Sequence, residues 1–214
     1  MKLLITGSNG LLGQKIVDLC IAKQIEFMAT SSGANRNSKC PAHAYQALDI
    51  TDEQNIQTVL KGYAPTHVIH TAAMTNVDQC ELNPEACDLV NRQAVLMLAK
   101  YCHLYQIHFQ LLSTDFVFDG KNGPYKEEDA VNPVSYYGKS KVLAEELIKN
   151  SNANCAILRT ILVYGISNDM SRSNIVLWAK GALEKASPIN VVNDQWRMTT
   201  LAEDLAEACL LAVE

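Results

Sequence analysis

Apolar and polar positions along this chain follow two alternating patterns. Short apolar or β-branched blocks, of the kind that form buried strands, are separated by longer stretches whose apolar residues recur at helical spacing. The first block is Leu3 to Ile5, and a helix follows over Gln14 to Lys23 with Ile16, Val17, Leu19 and Cys20 facing inward. Further strands are predicted over 26–30, 44–48, 67–71, 107–112 and 154–161, with a short one over 189–192. Thr51 with Gln54 forms a capping-box pattern before a second helix. Asn83-Pro84-Glu85 opens a long helix to about Tyr105, whose inner stripe is Ala86, Leu89, Val90, Val95, Leu98 and Ala99. Helices are also predicted over 135–148 and 173–185, and Thr200 with Glu203 reads as a second capping box for a last helix to Val213. Residues 116–133 form a long loop with Asp119-Gly120, Asn122-Gly123-Pro124 and Asn132-Pro133 turns, and 162–172 are polar and irregular.

Strand and helix alternating in this way predict an α/β fold, a doubly wound parallel sheet. At 214 residues the chain can bury one such domain with a small appended lobe. The division expected is 1–161 for the sheet domain and 162–214 for a partial lobe that returns to it.

Composition narrows the function. With 48% hydrophobic and 19% charged residues, the chain has a globular balance. A net charge of −5 and scattered Lys and Arg give no basic patch for nucleic acid. No apolar run approaches a membrane span, and the apolar N-terminal block is too short for a signal peptide. The seven cysteines show no CxxC and no zinc spacing, so they read as small hydrophobes in a reducing cytoplasm, with no metal site.

The candidate chemistry starts at Gly7, Gly10 and Gly13, spaced three apart directly after the first strand. Such a loop turns sharply and lets the backbone approach a pyrophosphate. The next helix then directs its free N–H groups at the phosphates. About 20 residues past these glycines an acidic residue would hold the ribose 2′-hydroxyl of NAD. Here the chain has Thr30, Ser31 and Ser32, followed by Arg36 and Lys39. That favours a 2′-phosphate, hence NADP(H), with NAD(H) as the alternative if these cations only solvate a loop. Ala72-Ala73 would let backbone pass close to a ligand. Ser113, Thr114 and Asp115 end the fifth strand, at the sheet edge where ligands bind in such folds. Of eight tyrosines only Tyr137 has a lysine four residues on, Lys141. On a helix the two share a face, and the ammonium would lower the phenol's pKa towards neutrality.

Together these features resemble the extended short-chain dehydrogenase/reductases. "HTAAMTNVDQCE" (70–81), "STDFVFDG" (113–120), "PVSYYGKSK" (133–141), "LRTILVYG" (158–165) and "NDQWRMTT" (193–200) are similar, in order, to motifs of the dTDP-4-dehydrorhamnose reductases. The resemblance implies an NAD(P)-binding Rossmann fold and hydride transfer from NAD(P)H to the C4 ketone of a 4-keto-6-deoxy sugar nucleotide, as in dTDP-rhamnose biosynthesis. It implies that Thr114 hydrogen-bonds the carbonyl, Tyr137 donates the proton, and Lys141 anchors the nicotinamide ribose. Gly7, Asn9, Gly10, Leu11 and Leu12 would wrap the pyrophosphate. Asp49 and Ile50 would flank the adenine, with Ser31, Ser32 and Arg36 near its ribose, and Ala72, Ala73 and Thr75 would line the path between. Asp78, Phe116, Arg159 and Gln195 would lie towards the sugar nucleotide, and a homodimer is the candidate assembly.

The chain departs from the family pattern at Phe116, where the family has Tyr, and at Thr199, where it has Pro. It also stops one helix after "NDQWRMTT", as a short or truncated member would. A dehydratase would carry Thr-Asp-Glu, whereas Asp115 is followed here by Phe116. A sugar-nucleotide epimerase stays open. So does a non-catalytic regulatory module, because the β subunit of methionine adenosyltransferase resembles the same reductases.

Overall fold

A computed structural model describes residues 1–151, 154–168, 174–195 and 197–213. Its centre is a parallel sheet of β1 (Lys2–Thr6), β2 (Glu26–Ser31), β3 (Tyr45–Ala47), β4 (His67–His70), β5 (His108–Thr114) and β6 (Cys155–Thr160). The strand order is β3-β2-β1-β4-β5-β6. Strand order therefore reverses between β1 and β4. In an open α/β sheet, that reversal leaves a crevice at the carboxyl ends of the strands.

The period-two alternation divides the core. Leu4 of β1, Val68 of β4, and Phe109 and Leu111 of β5 are buried on one face. They pack under α2 (Glu53–Tyr63), α5 (Ala94–Leu104) and α6 (Tyr136–Lys149). Leu3, Ile5 and Ile69 point the other way, into α1 (Leu11–Lys23) and α8 (Ala202–Leu211), where Ile16, Val17, Cys20, Leu205 and Cys209 close the second core. Both faces are covered, as parallel strands require. The final helix thus packs on the sheet domain. No helix among the described residues is long and apolar enough to cross a membrane.

Several local expectations change. The cap of α2 is Asp52, whose carboxylate accepts from Gln54 N and Asn55 N. Thr51 instead turns back to Asp49, donating to its Oδ1 at 2.7 Å. Thr200 does not cap the last helix. Thr200–Leu201 forms a short strand, β8, parallel to β7 (Val163–Tyr164), and Glu203 pairs with Lys15 at 2.7 Å. Residues 189–192 carry no strand and leave Val191 and Val192 exposed. α7 spans Ile175–Glu184, capped by the Asn174 side chain, and Ser173 lies outside the described residues.

The segment between β4 and α5 also departs from the expectation. α3 (Val77–Leu82) follows β4. The long helix after Pro84 is interrupted: α4 (Pro84–Asp88) passes through a π-helical turn at Leu89–Gln93 before α5. Such turns insert a residue into the helix and redirect one side chain, often at a functional site. Here that side chain is the buried Asn91.

His70 gives the fold a pH dependence. It is fully buried, its Nδ1 lies 2.7 Å from Thr6 Oγ1, and its Nε2 has no partner. Burial, aided by the Lys141 ammonium, pushes it from 6.5 down to about 3. The fold binds the neutral ring, so this contribution is complete above pH 6.5 and is lost as pH falls towards 3. Acid unfolding should show a slope of about 1.4 kcal/mol per pH unit from this one proton. His70→Asn should flatten the profile in urea melts across that window, and an unchanged slope would assign the effect to other groups.

Candidate active site

The crevice is built on the loop after β1. Gly7 has φ +72°, and a Cβ there would meet Ala72 N at 2.6 Å. A Cβ on Gly13 would lie 2.3 Å from Gly7 O. The loop therefore sits directly against the segment after β4, and α1 sits directly against the loop. No side chain caps the N-terminus of α1, which leaves its first-turn N–H groups to a ligand. Asn9 holds the next wall, donating to Ala34 O at 2.8 Å and accepting from Arg36 N at 2.8 Å.

Two cavities meet at this loop and share Asn9, Gly10, Thr71 and Ala73. The smaller, about 310 Å³, is lined by Gly7, Ser31, Ser32, Arg36, Asp49, Ile50 and Ala72. The larger, about 750 Å³, takes in Leu11, Leu12, Thr75, Thr114, Phe116, Tyr137 and Lys141. The glycine cradle, the uncapped helix and a cleft running along the strand ends fit an extended dinucleotide. A ligand diphosphate would lie on Gly10 to Leu12, its adenosine against Ser32, Asp49 and Ile50, and its other ribose near Lys141.

At the far end of the cleft, Ser135 caps α6 through Gly138 N at 3.1 Å. The i, i+4 spacing then turns Tyr137 and Lys141 to the buried side. A Cβ on Gly138 would lie 2.2 Å from Phe116 O, so α6 packs on the backbone that follows Thr114. The Thr114 and Tyr137 side chains both line this end of the cleft. Thr114 also contacts Asp115 Oδ1 at 3.1 Å and accepts from Phe116 N at 3.2 Å.

The charge states differ from the expectation. Burial pushes the Tyr137 phenol up to about 12, with the Thr114 hydroxyl acting in the opposite sense and Asp115 adding to the rise. The Lys141 ammonium does not lower it, because Nζ is turned away to donate to Leu112 O at 2.6 Å. Burial pushes Lys141 itself down to about 8, opposed by Glu145. The shared helix face was legible from spacing. The carbonyl competing for the ammonium was not.

The residues expected towards a sugar nucleotide divide. Phe116 lines the cleft and packs edge-to-face on Tyr137, with ring centroids 5.8 Å apart. Asp78 is exposed on α3, outside the lining of both cavities, and Gln195 is exposed and accepts from Arg197 at 3.0 Å. Arg159 lies outside the lining of both cavities. Its guanidinium is committed to the buried Glu145, at 2.6 and 3.0 Å, because β6 faces α6 there.

Two contributors went unrecognised in the sequence. Arg197 lines the larger cavity, with its guanidinium 5.0 Å from the Phe116 ring. Asn91 bonds Met74 through both N–H and C=O, at 2.8 and 3.0 Å, and donates to Ser140 Oγ at 3.1 Å. It thereby ties the segment after β4 to α6. An asparagine within an otherwise apolar helical stripe was the available signal.

The RmlD substrate binding domain model matches residues 1–214. The chain belongs to this family. The RmlD match lies within the extended short-chain dehydrogenase/reductases. Among curated relatives, a probable low-salt glycan biosynthesis reductase of Haloferax volcanii is 34% identical over 98% of this chain and 70% of its own length. The methionine adenosyltransferase 2 subunit beta of Xenopus tropicalis is 30% identical over 100% of this chain and 62% of its own. The chain therefore spans about two thirds of the length of such relatives. Among solved RmlD-like structures, a dTDP-4-dehydrorhamnose reductase of Clostridium acetobutylicum has TM-score 0.85 at 32% identity, covering 100% of this chain and 70% of that one. A dTDP-4-dehydrorhamnose reductase of Bacillus anthracis, solved in complex with NADP, has TM-score 0.80 at 26% identity over 100% and 71%.

Proposed function

We propose that this chain is an NAD(P)H-dependent reductase of a 4-keto-6-deoxy sugar nucleotide, resembling dTDP-4-dehydrorhamnose reductase, with NADP(H) favoured. The observation that carries the reading is that Thr114, Tyr137 and Lys141 line one end of a cleft that begins on the glycine loop. A bound reduced nicotinamide supplies the hydride. The protein supplies the remainder. Thr114 orients the substrate carbonyl, and Tyr137 gives its phenolic proton to the oxygen on which negative charge develops. A phenol held near 12 keeps that proton until a stronger base, the alkoxide, forms beside it. Lys141 holds the ribose. Residues 162–214 act as a partial substrate lobe, in which Arg197 offers a cation to a nucleotide phosphate.

The test is to supply NADPH with a dTDP-linked 4-keto-6-deoxy sugar and follow reduced-nicotinamide absorbance. Oxidation is expected. NADPH binding with no oxidation would instead favour a regulatory module, a reading kept because subunit-beta relatives match about as well as the reductases.

The choice of dinucleotide rests on Ser31, Ser32 and Arg36. Ser32 and Arg36 are exposed on the adenosine-side cavity, where a 2′-phosphate would meet a hydroxyl and a guanidinium. Ser32→Asp should move the NADPH/NADH affinity ratio towards NADH by roughly tenfold or more, as a carboxylate repels the phosphate and accepts from a 2′-hydroxyl. Equal ratios in the two proteins would remove these residues from the ribose.

A further inference from the structure

Glu145 is the one carboxylate among the described residues whose side chain is 2% exposed in an ion pair, and no step above uses it. It follows Tyr137 by two helical turns and Lys141 by one on the inner face of α6. Its Oε1 accepts from Ser113 Oγ at 2.6 Å and Arg159 Nε at 3.0 Å. Its Oε2 accepts from Arg159 Nη2 at 2.6 Å, and Lys149 stands at 3.5 Å. Burial pushes this carboxyl up, but the bonds from Arg159 and Ser113 outweigh it and hold it below its ordinary value.

The partners are not arbitrary. Ser113 and Arg159 are paired across β5 and β6 in register, each one residue before the end of its strand, and Ser113 precedes Thr114. Arg159 reaches further, donating to Glu127 O at 3.2 Å and lying 5.2 Å from the Phe118 ring. One carboxylate therefore joins the helix carrying Tyr137 and Lys141, the strand carrying Thr114, and the loop between them.

We propose that Glu145 is a positioning residue for the Tyr137–Lys141 pair. Its carboxylate pins the inner face of α6 to the ends of β5 and β6 and supplies the buried negative charge that Lys141 faces. The role rests on the reductase reading for its consequence, although the coupling itself does not. Around Lys141 stand Tyr137 and Glu145 from its own helix, Cys87 from α4, His70 from β4 and the Leu112 carbonyl from β5. His70 is neutral at and above neutral pH. Glu145 is thus the ionised acid acting on this lysine. Removing its charge takes away the larger of the two influences that oppose burial, and the ammonium gives up its proton at lower pH.

Lysine labelled with carbon-13 at Cε lets Lys141 be titrated by NMR in the free protein. In Glu145→Gln, Lys141 should bind its proton roughly tenfold more weakly than in the parent. If the single variant, with Arg159 left buried and unpaired, does not fold, the double variant Glu145→Gln/Arg159→Met removes both charges and should move Lys141 in the same direction. An unchanged Lys141 titration in either folded variant overturns the proposal. In the parent enzyme the alkaline limb of kcat/KM should follow Lys141, and in the variant it should move to lower pH with it. A shifted titration in a protein that never oxidises NADPH would sustain the coupling and reject the reductase reading.

Discussion

Tyr137→Phe is expected to lower turnover by roughly 10²–10⁴-fold and to leave NADPH affinity unchanged. The phenolic oxygen holds a transferable proton at the cleft end that Thr114 also lines. The ring is 9% exposed and packs on Phe116, so phenylalanine keeps the shape of the wall. The loss should appear in kcat, because the missing interaction forms only as charge develops on the substrate oxygen. Turnover equal to the parent would remove Tyr137 as the acid. Loss of NADPH binding as well would mean that the phenol builds the cleft and does not act on the substrate.

Gly138→Ala is the second large effect. The added carbon would lie 2.2 Å from Phe116 O and 3.1 Å from Phe116 C. Both contacts are backbone, which cannot rotate away, so α6 must lift off the strand end. The cost should be at least about 2 kcal/mol, a fall in Tm of roughly 4–8 °C. Reductase activity should fall further than stability accounts for, since the lift separates Tyr137 from Thr114. Gly62 is the control. It too lies in a helix, but a Cβ there meets nothing within 4 Å, and Gly62→Ala should raise stability by roughly 0.5–1 kcal/mol. A harmless Gly138→Ala in parallel thermal melts would contradict the close docking of α6.

What could be read from the sequence was whatever depends on neighbours in the chain. Short apolar or β-branched blocks gave all six strands of the main sheet to within a few residues, and glycine spacing located the loop that a Cβ would block. Tyr137 and Lys141 fall on one face because i and i+4 always do. Legibility stopped where the outcome depends on contacts between distant segments. Arg159 was expected towards the sugar nucleotide, and its pairing with Glu145 depends on β6 lying against α6. Lys141 looked like a partner for the phenol until Leu112 O took its proton donor. Residues 189–192 have the composition of a strand, but among the described residues no strand pairs with them. Asn91 needed a π-helical turn, which no local pattern announced.

The central claim is that a dinucleotide lies across the glycine loop with its reactive end between Thr114 and Tyr137. A crystal structure of the protein soaked with NADPH tests it most directly. The account predicts the diphosphate on the N–H groups of Gly10 to Leu12, the ribose at Lys141, and the nicotinamide facing the two hydroxyls. A diphosphate bound elsewhere, or a nicotinamide turned away from Tyr137, would contradict it.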